Sequence, residues 1–164
     1  MFAASAARPQ RSTLGPLAAH SATDRKERIT MDYAILEEAL RPWLGTEQFG
    51  DATRIRGIRA IDALAALEAA GVEDEEPFDG LPCPTRLCRV ALELHIDAWV
   101  SGLLIGPPEL RPDARLHLDC VLLPGRLLGR DLRPRVAQLF APDEQPCSVT
   151  RNEGHVRVWE LFWD

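Results

Sequence analysis

Lysine is almost missing from this sequence: of 19 basic residues 18 are arginine, and Lys26 is the exception. Lys26 falls in the first thirty residues, which show no helical or strand periodicity. A folded part without lysine excludes Schiff-base chemistry and the lysine of a phosphate-binding loop. Long hydrophobic runs are missing too. The longest charge-free apolar run worth testing, Ala98–Pro108, is 11 residues long and ends in Gly-Pro-Pro, where a membrane-spanning helix needs about 20. The chain therefore reads as soluble, cytoplasmic and without a membrane partner. Neither G-x-x-x-x-G-K-[ST] nor G-x-G-x-x-G occurs, so no nucleotide cofactor is expected, and no G-x-S-x-G nucleophile elbow is present.

Cysteine is scarce and poorly spaced for metal. Cys83, Cys88, Cys120 and Cys147 form a C-x4-C pair followed by wide gaps; a C-x2-C pair would be the strong signal. Cys120 occupies an apolar-face position and is expected to be a small buried hydrophobe. No secretory signal places Cys83 and Cys88 in an oxidising compartment.

What is present is an average globular composition. At 164 residues, 46% hydrophobic and 27% charged, the chain has room for about one domain and needs no disulfide or metal staple. The net charge of −6 conceals an asymmetry. Residues 1–30 carry five basic and two acidic side chains, net +3, and the remaining 14 basic and 23 acidic give −9. The only two methionines are Met1 and Met31. Residues 1–30 are accordingly read as a disordered or mis-started segment, with an organelle transit peptide and a basic arm as competing readings. Residues 31–164 are read as the folding unit. An acidic balance argues against nucleic acid as partner. The arginine bias, with abundant Ala, Leu, Pro and Gly, fits GC-rich coding in a bacterium.

Periodicity predicts two N-terminal helices. Residues 32–44 place Tyr33, Leu36, Leu40, Trp43 and Leu44 on one stripe, and residues 53–70 do the same with Ile55, Ile58, Ile61, Leu64 and Leu67. Five acids among residues 73–80 read as a solvated connector. Strict alternation then predicts strands over 91–100 and 114–123, apolar at even positions and polar at odd ones. Ser101-Gly102 reads either as a bulge or as a turn. A helix over 131–140 fits Leu132, Val136, Leu139 and Phe140, and 147–150 with 155–163 form a hairpin around 151–154. Helices followed by strands point to an α+β fold: two N-terminal helices on an antiparallel sheet of about four strands, with one inserted helix.

Two constellations stand out. His95-x-Asp97 and His117-x-Asp119 each put an imidazole beside a carboxylate on one strand face, which is the donor chemistry of a divalent metal site. A simple hairpin across 106–113 would set His117 opposite residues 101–103, far along the strand from His95, so the four side chains converge only if Ser101-Gly102 is the turn. Otherwise they decorate a solvated sheet face. The second constellation is the C-terminus, where Trp159, Phe162 and Trp163 crowd into the last strand. If that apolar strand is an edge, Arg157, Trp159 and Trp163 form a protein-binding surface and a partner or a second copy must cover it. The function expected from acidity, aromatics and missing catalytic motifs is a protein-binding module of the immunity, chaperone or adaptor kind. Its partner would be another protein, a basic one being the match for an acidic surface. The alternative is a metal- or thiol-dependent enzyme built on the His-x-Asp pairs or the cysteines.

Overall fold

A computed structural model describes residues 31–72, 81–107, 109, 115–125, 132–153 and 157–163. The expected N-terminal segment 1–30 and the acidic connector 73–80 lie outside the described residues. The element order is α1 (Tyr33–Leu40), a 3₁₀ turn (Arg41–Trp43), β1 (Leu44–Phe49), β2 (Ala52–Arg59), α2 (Ala60–Ala69), α3 (Pro84–Leu94), β3 (Trp99–Ile105), β4 (Arg115–Pro124), α4 (Leu132–Leu139), a second 3₁₀ turn (Pro142–Glu144), β5 (Ser148–Glu153) and β6 (Arg157–Phe162). The fold is α+β: a six-stranded sheet in the order β1-β2-β3-β4-β6-β5, antiparallel throughout, with four α-helices. The buried side chains of all four helices join one apolar cluster with Ile55, Val100, Leu118, Val121 and Leu161 of the sheet. One sheet face is thus covered by helices, and the other carries the polar side chains of the strands.

Several expected elements change class, each for a physical reason. The first helix stops at Leu40, because Pro42 cannot continue its hydrogen-bond ladder and the chain tightens into a 3₁₀ turn. Residues 44–49 then leave as a strand. Residues 52–59 are strand β2, not the start of a helix. Ile55 and Ile58 are both buried, and their spacing of three looked helical. The spacing is produced by an irregularity in the β2–β3 register between Ile55 and Ile58, where Gly57 has φ +25°. The extra residue of a bulge returns both isoleucines to the same face. Helix α2 begins only at Ala60, whose N–H donates to the carbonyl of Ala98 at 2.8 Å.

Residues 91–94 are helical as well. Helix α3 runs from Pro84, which sits in its first turn, and buries Leu87, Cys88, Ala91 and Leu94. Those positions follow a period of 3.6, and the alternation from 92 to 100 spans the helix end, a turn and the start of β3. An apolar spacing of four satisfies both periods, so local pattern could not separate them. Strand β3 passes straight through Ser101-Gly102, with a register shift between the two. A Cβ on Gly102 would collide with the backbone carbonyl of His117. Glycine is what allows the two strands to approach at this bulge.

The C-terminal strand is not an edge. β6 lies between β4 and β5, and β5 takes the edge position. The sheet has six strands where about four were expected, because β2 comes from residues read as helix and β1 from residues that, after Leu44, fall in no expected element. None of the described helices is long and apolar enough to cross a membrane.

Candidate functional site

An open groove forms where the start of α1 meets the chain leaving β3. Met31, Asp32, Tyr33, Ala34 and Glu37 make one wall, Pro107 and Glu109 the other, around a cavity of about 480 Å³. Local chemistry places each part. Asp32 caps α1 by accepting from the N–H of Ile35 at 3.1 Å, and its own N–H donates to the carbonyl of Ala70 at 2.9 Å, tying the helix start to the end of α2. Gly106 donates to the carbonyl of Asp51 at 3.1 Å. Its φ is +146°, and a Cβ there would stand 2.5 Å from the Tyr33 ring. The ring therefore lies against bare backbone, which fixes the floor of the groove.

The electrostatics of this groove carry one sign. Asp32, Glu37 and Glu109 contribute carboxylates, and among the described residues no basic side chain lines it. Burial first, then the charges of Glu37 and Glu109, push the Tyr33 phenol above its ordinary value of 10.0. Tyr33 therefore stays a neutral hydroxyl at physiological pH and can both donate and accept. A cation entering the groove would meet carboxylates on two walls and an aromatic face, the combination that favours guanidinium or ammonium groups.

A second polar cluster lies on the helix-free sheet face. Register places Arg54, Leu103 and His117 in one row across β2, β3 and β4. Arg54 Nη1 pairs with Asp119 Oδ2 at 3.2 Å. Beyond the bulge, the Cys120 thiol donates to Glu160 Oε1 at 3.6 Å. Burial pushes the Cys120 thiol up to about 12, helped by the neighbouring Glu160 and Asp119 charges. Burial likewise pushes Cys88 to about 12. Thiols held this high are protonated at neutral pH and make poor nucleophiles.

The two His-x-Asp pairs end up apart. His117 pairs with Leu103, as a simple hairpin register requires, and β3 begins only at Trp99. His95 is the cap residue after α3, where its Nδ1 accepts from the N–H of Asp97 at 3.0 Å. Among the described residues no three His, Cys, Asp or Glu side chains gather as metal ligands. The turn at Ser101-Gly102 that would have united the pairs is instead a bulge inside one strand.

The C-terminal aromatics are occupied within the fold. Trp163 is 2% exposed, stacks edge-on against Phe140 at 5.1 Å and donates from Nε1 to the carbonyl of Glu144 at 2.7 Å. Trp159 is half-buried against the core. The Arg157 side chain lies outside the described residues. Exposed apolar side chains occur elsewhere: Ile61, Ile96 and Trp99 are 43%, 61% and 42% exposed. The Ala60–Ala98 hydrogen bond and the Arg59–Trp99 pairing bring them to one end of the sheet.

The groove residues escaped sequence reasoning because Tyr33 read as one member of a helical stripe and Glu109 as a loop charge. The available signal was a capping Asp followed by Tyr and Glu on one helix, with Gly-Pro far along the chain. The chain shows significant similarity to no family model, no curated protein and no solved structure.

Proposed function

We propose that this chain is a protein-binding module of the adaptor or immunity kind, which docks a basic segment of a partner protein by seating an arginine or lysine side chain in the groove at the start of α1. The observation that carries the reading is the groove itself: three carboxylates on two separate walls and the protonated Tyr33 hydroxyl, with no basic group among the described lining residues. Carboxylates that face one another repel, and a partner cation relieves that repulsion. The net charge of −9 over residues 31–164 adds long-range attraction for a basic partner and speeds encounter. Exposed Ile61, Ile96 and Trp99 supply apolar area of the kind that partners cover.

The enzyme alternative has less support in the geometry. Cys88 and Cys120 are held as thiols at about 12, and His95-x-Asp97 lies in the turn between α3 and β3 while His117-x-Asp119 is on β4.

A synthetic arginine-rich peptide, and the same peptide with every arginine replaced by citrulline, provide the test. The expected result is saturable amide shifts at Ala34 and Glu37 with the arginine peptide only. Those shifts should disappear in the Glu37→Gln/Glu109→Gln double variant. Equal shifts with the citrulline peptide, or none with either, would overturn the reading.

A further inference from the structure

The acidic groove lies where residues 1–30 join the fold. Met31, the first described residue, lines the groove and packs against the core. The N–H of Asp32 donates to the carbonyl of Ala70 at 2.9 Å, so this junction is anchored at the groove's rim. Residues 1–30 lie outside the described ones, and their sequence carries net +3 against −9 for the rest of the chain. Arg25, Lys26 and Arg28 stand only three to six positions before Met31. Three residues span at most about 11 Å, so one reversal of the chain is enough to bring the Arg28 guanidinium to the groove. Extended chain alternates sides, which groups Lys26 with Arg28 and turns Glu27 away from them. On the groove's side, Glu37 of α1 and Glu109 after Pro107 stand on opposite walls beside the Tyr33 ring, and neither is in an ion pair with a described residue. Two carboxylates and an aromatic face match a guanidinium.

We infer that the basic stretch Arg25–Arg28 is the groove's resident occupant, an intrachain counter-ion that the arginine or lysine of a partner must displace. This rests on the reading of the groove as a cation-docking site and adds its regulation. Tethering is what lets so short a stretch compete: anchored at Met31, it is present at an effective concentration of roughly millimolar, whatever the concentration of the protein. A partner with a single cation therefore meets an occupied groove, and one that offers several cations together exchanges with the occupant. Arg8 and Arg11 lie twenty or more positions before Met31, and screening over about 8 Å in physiological salt leaves charges that are not held close with little effect.

The full chain carrying Arg25→Gln/Lys26→Gln/Arg28→Gln tests this, with Arg8→Gln/Arg11→Gln as the control. Without peptide, the triple variant should shift the amides of Ala34 and Glu37 and raise the Tyr33 titration above that of the parent. The control should do neither. The synthetic arginine-rich peptide should bind the triple variant several-fold more tightly than the parent. Glu37→Gln/Glu109→Gln should abolish the difference between them, and none of these effects should change with protein concentration. Unchanged Ala34, Glu37 and Tyr33 signals in the triple variant would overturn the inference, while peptide binding to both forms would leave the docking role of the groove in place. Changed signals with no peptide binding to any form would keep the intrachain contact and remove the partner. Equal changes in the control would report diffuse charge, and changes that grow with concentration would report the segment of another copy; either would overturn the inference.

Discussion

Arg54 of β2 reaches past the whole of β3 to pair with Asp119 of β4, Nη1 to Oδ2 at 3.2 Å, although their strands are not neighbours in the sheet. The ion pair bridges three strands on the helix-free face. Burial still wins over it: the Asp119 carboxyl is pushed above its ordinary 3.8 even though Arg54 and His117 pull it down. Its Oδ1 is buried without a hydrogen-bond partner, so the group carries an uncompensated desolvation cost.

His117 and Asp119 tilt the pH dependence in opposite directions. His117 is held below its ordinary 6.5, by burial first and then by Arg115 and Arg54, against the pull of Asp119. The unfolded chain therefore binds a proton that the folded chain refuses between the depressed value and 6.5, and stability rises with pH across that window. Asp119, with a raised value, keeps its proton longer when folded, so its contribution falls as pH rises above 3.8. His117→Gln should flatten the rise approaching 6.5. Urea midpoints at about pH 5 and about pH 7, compared between variant and parent, check this.

Glu144 is 1% exposed. It pairs with Arg86 at 2.6 Å and accepts from the N–H of Ala141 at 3.2 Å, which ties α3 to the turn after α4. Arg86→Met should leave a buried carboxylate unpaired and cost about 2 kcal/mol, discounted because the arginine is partly solvated. Glu144→Gln keeps an acceptor for Ala141 and should cost less. Denaturant unfolding of both variants gives the comparison.

Gly102→Ala should be among the most damaging single-methyl changes in the chain. The added Cβ meets the His117 carbonyl and the Leu118 Cα, both backbone, so neither strand can yield cheaply. A loss of about 3 kcal/mol or more is expected. Expression and melting temperature beside Gly50→Ala, whose Cβ would meet nothing within 4 Å but whose φ is +67°, separate collision from backbone strain.

Tyr33 is the only tyrosine in the chain, so phenolate absorbance reports on the groove alone. Its titration should lie above 10.0. Glu37→Gln and Glu109→Gln should each lower it, and the bound arginine peptide should lower it further. A titration at the ordinary value in the parent would contradict the described environment.

Thiol chemistry offers a last check. Cys83, Cys88 and Cys120 are buried and Cys147 is exposed, and none is in a disulfide. A disulfide exchange reagent should modify Cys147 rapidly in the native protein and the other three only after denaturation. Rapid native modification of Cys120 would revive the thiol-enzyme reading.

The sequence by itself determined the fold class and the elements whose pattern has one meaning. β4 and α4 fall within one residue of the expected ranges. The hairpin of β5 and β6 is also present, but Arg151, Asn152 and Glu153, expected as its loop, are strand residues paired with Trp159, Val158 and Arg157. The register that separates His95 from His117 was also legible, since a hairpin across 106–113 leaves little freedom. Tertiary structure decided the rest. Ile55 and Ile58 became strand because a bulge at Gly57 lets a spacing of three face one side, and β3 was on hand to pair with them. Residues 91–94 became helix because their apolar positions suit both periods and packing against α2 selected one. The acidic groove depends on Gly106 approaching Tyr33 across more than seventy residues of chain, a contact that no local pattern encodes.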